Sequence, residues 1–504
     1  MLRLVSTNEV IGMGIAVDRP QPGSGPYHVQ LATSLRTRLE RGELRSGDQL
    51  PTSRELAKEL GVSRSTVVRA YEELERGGWV EGRVGRGTVV TARGAAEGRA
   101  GPDWDGLLTD RARPSSTEHG EVLRMLATPG LLSFAGGVPS PEFYPAEAFQ
   151  QITSEVLRQQ GPRILQSCPL DGYPPLRSWI AERAGCAAEE VIVLTGSTQG
   201  LHLLAQAFVR PGDAVIVEAP TYAGALRAFR AAGARIHGIP SGPLGLDLDA
   251  LRALLRRVQP KLLYVIPTHH NPTGASLSIP RREALLDMAA EYGLPVVEDD
   301  AYATLRYDGP ALPSLRSLDR GGHVIYLSTF SKALFPGLRV GWMMAPQPVV
   351  RRLSSLRNVI DLFTNSLTQA TLYEFCKRGL LDAHLQQVRP IYAERRDSMA
   401  SALRRYAPEL SFDVPHGGLF LWVRLSEKVT GFRLLQASVQ QGLGFLVGTL
   451  FHAGSGGENH IRLCFATHPQ RAISDGARKL AVALRQVGEE DVVRREVDAE
   501  GFVV

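Results

Sequence analysis

Five short Val/Ile/Leu-rich runs most constrain what this chain can fold into. They are VIVLT at 191–195, AVIVE at 214–218, LLYVI at 262–266, PVVED at 295–299 and VIYLS at 324–328. Helical patterns such as TQGLHLLAQAFV and IPRREALLDMAAEYG lie between them. A strand apolar at consecutive positions has no face to give to water, so helices must cover both sides. From about residue 130 onward the pattern therefore predicts an α/β fold with a mostly parallel sheet. At roughly 150 residues per domain, 504 residues suggest about three units. No short-period repeat points to a solenoid.

Composition excludes several classes. Hydrophobic residues make up 43% and charged residues 22%, a globular balance. There is no apolar stretch of about 18 residues, so no membrane span is expected. The opening MLRLVSTNEVIGMG lacks a secretory pattern. Cys168, Cys186, Cys376 and Cys464 form no CxxC pair, which argues against a zinc knuckle or redox dithiol and suits a reducing cytoplasm. No metal ligand set is read. A net charge of +5 is too small for an all-over nucleic-acid mantle, so any DNA contact must come from a local patch. Only six lysines stand against 51 arginines, so chemistry that needs a primary amine has few candidates.

Residues 25–93 read as a small, mostly helical unit. A helix over about 28–41 carries Leu31, Leu35 and Leu39 on one face. In LPTSRELAKELG, Thr52 and Glu55 fit a capping box and Gly61 supplies a left-handed exit. Ser63 then caps SRSTVVRAYEELERGG. Two short helices around a tight turn give a helix-turn-helix, and WVEGRVGRGTVV adds a small hairpin. Arg64, Ser65, Thr66 and Arg69 begin the second helix of the pair, the end that enters a major groove. Arg54 opens the preceding helix, and Arg83 and Arg86 lie on the wing. The residues alone also fit an ordinary N-cap with solvated arginines. The run from LATSLRTRLERGELRSGDQLPTSRELAKELG through VSRSTVVRAYEELERGGWVEGRVGRGTVV resembles the winged domain of GntR-type regulators. That resemblance implies DNA contacts by Arg54, Arg64, Ser65 and Thr66, with the wing near Gly85.

The larger part carries segments that converge on one chemistry. Lys332 in SKALFPGLRVGW follows a predicted strand and the hydroxyls of Ser328, Thr329 and Ser331, with Arg339 seven residues on. An amine beside hydroxyls and a cation suits an aldehyde cofactor that bears a phosphate. Gly196, Ser197 and Thr198 open a helix, where backbone N–H groups suit a phosphate. Tyr222 in EAPTYAG offers a flat ring for stacking. Asn271 lies in PTHHNPTG. Asp299 in VVEDDAY ends a strand, where open α/β sheets bind ligands, and such a carboxylate can pair with a protonated pyridine nitrogen. Glu298 and Asp300 compete for that place. Tyr302 follows three residues after Asp299, and Arg462 in HIRLCFA is a fork for a carboxylate. Each segment alone also fits a turn, a cap or a packing residue.

In order, LLSFAGGVPSPEFYP, DGYPPLRSWIAER, TGSTQG, APTYAG, HNPTG, EDDAY, STFSKALFPGLRVGW and IRLCFA resemble a fold-type I pyridoxal-phosphate (PLP) aminotransferase. The branch they resemble most is that of the 2-aminoadipate and aromatic aminotransferases. The resemblance covers roughly 130–480. It implies a Schiff base on Lys332, a ring-nitrogen partner in Asp299, stacking by Tyr222, and a ring oxygen held by Asn271 and Tyr302. It also implies a phosphate held by Ser197, Thr198, Thr329, Ser331 and Arg339, with Gly196 at that loop. The effector or substrate carboxylate falls to Arg462, with backbone approach at Gly136 and Gly137. Ser167 departs from the pattern: relatives carry Tyr there, donated across a dimer to the partner's cofactor phosphate.

A GntR-type winged head (25–93), a linker (94–128), an aminotransferase-like domain (129–485) with a smaller C-terminal α+β part, and a charged tail (486–504) together resemble the MocR subfamily of GntR regulators. This implies a cytoplasmic homodimer that reads two DNA half-sites and senses PLP or an amino compound through Lys332. The alternative is a working aminotransferase with an accessory DNA-binding head. A third reading is a degenerate fold used only to dimerise, and Lys332 with Asp299 argues against it.

Overall fold

The computed structural model describes residues 9–12, 15–18, 25–40, 44, 47–83, 87–91, 107–108 and 117–500. The chain divides into two compact units, Met1–Arg113 and Pro114–Val504.

The first unit opens with an antiparallel pair, β1 (Glu9–Gly12) and β2 (Ile15–Asp18), for which the sequence pattern gives no signal. Three helices follow: α1 (Tyr27–Glu40), α2 (Ser53–Leu60) and α3 (Arg64–Arg76). An antiparallel hairpin of β3 (Val80–Arg83) and β4 (Gly87–Val90) comes next. Both limbs of the capping box form. Thr52 Oγ1 accepts from the Glu55 N–H at 3.3 Å, and the Glu55 carboxylate accepts from the Thr52 N–H at 2.9 Å. Gly61 takes φ 69°, and Ser63 Oγ accepts from the Thr66 N–H. Leu31, Leu35, Leu39, Leu56, Leu60, Val67 and Leu74 are buried together. Each such side chain contributes about 1.5–3 kcal/mol on leaving water. Tyr71 donates to the Pro51 carbonyl at 2.8 Å, and Glu75 accepts from the Gly82 N–H at 2.9 Å, tying the hairpin to α3.

The second unit contains, in chain order, α4 (Thr117–Leu126), β5 (Leu132–Ser133), α5 (Ala146–Gln160), α6 (Pro174–Ala184), β6 (Val191–Leu194), α7 (Ser197–Phe208), β7 (Ala214–Ala219), α8 (Ala223–Ala231), β8 (Arg235–Gly242), β9 (Gly245–Leu246), α9 (Leu248–Leu255), β10 (Leu262–Val265), α10 (Ile279–Tyr292), β11 (Val296–Asp299) and α11 (Leu315–Leu318). It continues with β12 (Val324–Thr329), β13 (Gly341–Met344), α12 (Gln347–Arg357), α13 (Ser366–Lys377), α14 (Leu380–Tyr406), β14 (Phe420–Arg424), α15 (Gly431–Gln440), β15 (Leu443–Gly444), β16 (Leu446–Val447), β17 (His460–Cys464) and α16 (Gln470–Glu500). All five apolar runs lie in one eight-stranded sheet of order β6-β13-β12-β11-β10-β7-β8-β9. Its centre is parallel, whereas β13 runs antiparallel to both neighbours and β9 antiparallel to β8. Consecutive residues feed opposite cores: Leu262 and Tyr264 of β10 join one cluster, Leu263 and Val265 the other. That alternation explains why the runs are apolar at every position. A smaller antiparallel sheet, β14-β17-β16, forms the C-terminal part.

Residues 117–126 fall at the end of the linker read from sequence, where EVLRML fits a short helix; they form α4 and bury Val122 in the core of this unit. The last helix runs on to 500, across the tail boundary read at 486. No described helix is long and apolar enough to cross a membrane.

Candidate functional site

The loops at the carboxyl ends of β6, β7, β10, β11 and β12 converge on a cavity of about 290 Å³. Such ends are where open α/β sheets take their ligands. Lys332, Asp299, Tyr222, Asn271, Tyr302, Gly196, Ser197, Thr198, Thr329, Ser331, Arg339, Arg462 and Gly137 all line it. Gly136 does not.

At one end, Gly196 (φ 86°) precedes α7, so Ser197 and Thr198 sit at a helix N-terminus. A Cβ at Gly196 would come within 2.7 Å of the Arg339 guanidinium, and one at Gly341 within 2.8 Å of the Ser197 nitrogen. Glycine at both places lets backbone and cation approach a common point. Arg339 donates to the Thr195 carbonyl at 3.0 Å, and Thr329 Oγ1 accepts from the Ser331 N–H at 3.1 Å. N–H groups, hydroxyls and a guanidinium gathered at a helix N-terminus suit a phosphate.

At the floor, strand alternation decides among three successive acids. Glu298 and Asp300 face away from the side that Asp299 faces. Glu298 accepts from the Leu315 and Arg316 N–H groups at 2.8 and 2.9 Å. Asp300 accepts from the Tyr326 hydroxyl at 3.0 Å. Asp299 is 4% exposed; its Oδ2 accepts from the Tyr264 hydroxyl at 2.7 Å, and its buried Oδ1 has no partner. Burial pushes its carboxyl up to about 6. A pyridine N–H would supply both the missing donor and the opposing charge.

Lys332 Nζ donates to the Gly137 carbonyl at 2.6 Å. Burial, with Arg462 nearby, lowers the ammonium to about 8. Arg462 is buried, which lowers its guanidinium, and it packs between two rings: 4.0 Å over Phe420 and 5.1 Å over Phe451. It donates to Asn271 Oδ1 at 2.8 Å and to the Ala135 carbonyl at 2.6 Å, and its Nε has no partner. Tyr302 is buried, with its ring edge-on to Phe420 at 5.7 Å, and burial raises its hydroxyl. The orphaned Asp299 oxygen, the glycine-cleared helix N-terminus and the Lys332 amine that lines the same cavity fit the pyridine nitrogen, the phosphate and the aldehyde of pyridoxal 5'-phosphate.

Sequence reasoning missed four contributors. Tyr264 pairs in register with Val297 of the parallel neighbour, two residues before Asp299 on the same face, so strand register would have found it. Phe420 and Phe451 come from outside the sheet and gave no local signal. Arg227 also lines the cavity.

In the first unit, Arg54, Arg64, Ser65 and Arg69 are exposed, and Thr66 partly so. The Arg64 Nε donates to Ser53 Oγ at 3.3 Å, across the helix-turn-helix. The Ser65 and Thr66 hydroxyls bond to Ser63 Oγ at 2.8 and 2.7 Å. Glu72 and Glu73 lie farther along α3. Gly85 and Arg86 lie outside the described residues.

Residues 140–480 match the family "Aminotransferase class I and II", and residues 28–90 match "Bacterial regulatory proteins, gntR family". The chain belongs to the aminotransferase class I and II family. It carries a gntR-family head, and regulators of the MocR type are among its homologues. It is 42% identical over 369 residues to the 2-aminoadipate transaminase of Thermus thermophilus, covering 72% of this chain and 93% of that protein. It is 31% identical over 451 residues to the probable rhizopine catabolism regulatory protein MocR of Rhizobium meliloti, covering 85% of this chain and 88% of that protein, so this relative spans both units. Among solved structures, LysN, the alpha-aminoadipate aminotransferase of Thermus thermophilus complexed with N-(5'-phosphopyridoxyl)-L-leucine, superposes with a TM-score of 0.73 at 39% identity. That match covers 77% of this chain and 99% of that one.

Proposed function

We propose that the protein is a DNA-binding transcriptional regulator whose aminotransferase-like unit senses pyridoxal 5'-phosphate, an amino compound or both through Lys332. The single observation that carries this reading is that Asp299, with its unpaired Oδ1, lines the same cavity as Lys332, in a chain that also bears a gntR-family head. The cofactor is pyridoxal 5'-phosphate; when bound, it supplies an aldehyde that condenses with amines and a ring that draws electrons. Ser197, Thr198, Thr329, Ser331 and Arg339 hold its phosphate, and Asp299 keeps the ring nitrogen protonated. Tyr222 stacks on the ring, while Asn271 and Tyr302 bind its oxygen. With its pKa near 8, Lys332 is neutral in about a tenth of molecules at pH 7, against roughly one in 2,500 for an ordinary lysine. Arg462 takes the carboxylate of the incoming amino compound.

Binding switches the protein only if the compound favours one of two conformations. Arg54, Arg64, Ser65, Thr66, Arg69 and the wing near Gly85 read the operator. Exposed Leu165, Leu170, Val359, Ile360 and Leu362 suit a surface covered by a second copy, which would present two heads to two half-sites. Four free cysteines suit a cytoplasmic protein.

The test is selection of genomic fragments by the purified full chain, with and without PLP, at near-physiological salt. A repeated motif whose occupancy changes with PLP is expected. Recovery of sequence-indifferent, salt-sensitive DNA alone would overturn the regulator. A second reading, an enzyme that transaminates, is favoured by Lys332, Asp299 and Arg462 meeting in one cavity. Steady turnover of an amino acid with a 2-oxo acid distinguishes it.

A further inference from the structure

The crossover from β11 to β12 carries little helix. α7 and α10 each place a full helix, of 12 and 14 residues, after the strands they follow. Residues 300–323 hold one three-residue turn, Ala303–Leu305, and the four-residue α11. Part of the sheet therefore lacks a close cover on this side, and a cavity of about 910 Å³ stands there. Tyr326 and Ser328 of β12 line it with Trp342 and Met344 of β13, and the two strands pair in register. α6 contributes Trp179 and Arg183, and α14 contributes Asp382. The cavity lies on the face of the sheet opposite to the one Asp299 presents: Asp299 is in register with Leu327, whereas Tyr326 and Ser328 alternate to the other side.

Three rings line this cavity. The Phe330 centroid stands 6.5 Å from that of Trp179 and 4.7 Å from that of Trp342. Four arginines and four acids balance in charge, and most of them are engaged. Arg183 donates to both Asp382 oxygens at 3.2 Å and lies over the Trp179 ring at 5.0 Å. Arg316 bonds to Glu190, and Arg389 donates to the Thr304 carbonyl at 2.7 Å. Asp319 accepts from the Gly321 and Val324 N–H groups at 2.9 and 2.8 Å. Asp300, which also lines the cavity, is different. It is 5% exposed, and its Oδ2 accepts from the Tyr326 hydroxyl, but its buried Oδ1 makes no hydrogen bond with any described residue. Arg282, whose charge reaches Asp300, gives its N–H groups to the Leu277, Pro267 and Pro313 carbonyls and to Thr268. Burial raises the Asp300 carboxyl, a shift that a cation beside it would reverse.

We propose that this cavity is a second ligand site, for a flat aromatic compound that bears a protonated nitrogen. The ring packs among Trp179, Phe330 and Trp342, and the charged N–H bonds to Asp300 Oδ1. Aromatic faces and an unpaired carboxylate both favour a cation. Arg183 and Arg316, neutralised by Asp382 and Glu190, do not oppose it. Ala301 and Thr329 line both this cavity and the cofactor's, so a compound here adjoins the segments that carry Asp299 and Lys332. The site stands independently of the cofactor reading above.

The experiment titrates the full-length, PLP-loaded protein with benzamidine and follows binding by calorimetry. A protonated amidine does not condense with the PLP aldehyde, and PLP fills the cofactor cavity. Benzamide keeps the ring and loses the charge; cyclohexanecarboxamidine keeps the charge and loses the aromatic face. Benzamidine is expected to bind at least tenfold tighter than either. Asp300→Asn should erase the preference over benzamide while cofactor absorbance is retained. Trp179→Ala should weaken benzamidine at least fivefold, and it decides the matter if Asp300→Asn does not fold. Absence of benzamidine binding, or equal affinity for benzamidine and either control, would overturn the inference. So would a preference that survives Asp300→Asn, or an affinity that Trp179→Ala leaves unchanged. Benzamidine binding seen in PLP-free protein and lost on loading would place the probe in the cofactor cavity, and that result also overturns it.

Discussion

The two recognition surfaces of this molecule are built in opposite ways. In the head, the candidate DNA residues of the two helices fall between Arg54 and Arg69, and most of them are exposed. Their bonds are local, the longest joining Arg64 to Ser53 across 11 residues. In the larger unit, Lys332 meets Gly137 across 195 residues, and Arg462 meets Asn271 across 191. The first surface keeps its charges in water: Arg54 and Arg64 both stay exposed. The second removes an amine, a carboxylate and a guanidinium from water together, and their protonation shifts as a result. Readout of a large external polymer needs exposed cations; chemistry on a small ligand needs groups whose charge the fold has perturbed.

The largest effect that tests this contrast is Lys332→Ala. It should abolish borohydride fixation of PLP to the polypeptide while leaving non-specific DNA affinity unchanged; an adduct that persists in the variant overturns the assignment. In the native chain, PLP uptake should rise from pH 6 to about 8 and then level off, because only the neutral amine condenses. An unperturbed lysine would keep gaining rate toward its ordinary pKa. Next is Arg64→Ala. Loss of about 1–3 kcal/mol of discrimination between operator and random DNA is expected if Arg64 reads a base edge, with PLP affinity unaltered. Equal weakening on every sequence would assign Arg64 to the phosphates instead. Smallest is Thr52→Ala, which removes one limb of the capping box and should cost about 1 kcal/mol in the unfolding of the head alone. A coupled shift in the transition of the larger unit would show that the two units do not unfold independently.

Much of this architecture was legible in the sequence because local physics dictates it. Thr52, Glu55, Gly61 and Ser63 announce their caps within a few residues, and the five apolar runs announce a doubly covered sheet. The antiparallel strand GWMM of β13 went unnoticed because it begins on the last residue of the SKALFPGLRVG motif, with only a single short helical turn, Pro336–Leu338, between it and β12. The β1–β2 pair lacks the long alternating pattern that marks a strand. In the site, Asp299 was named but not separated from Glu298 and Asp300, since that choice depends on which face each residue presents. Tyr264 was hidden for the same reason. Phe420 and Phe451, which flank Arg462, depend on the packing of the small sheet against the large one, and no short-range pattern carries that information.

The run of three acids in β11 also governs what an insertion or deletion there would do. An extra residue upstream would slide Glu298 into the ring-facing place and put Val297 where Glu298 stood. A carboxylate would still meet the ring. The N–H groups of Leu315 and Arg316 would lose their acceptor, at about 1–3 kcal/mol for each buried donor left unpaired. A frame error at this strand would therefore spare the reactive face and damage the scaffold behind it.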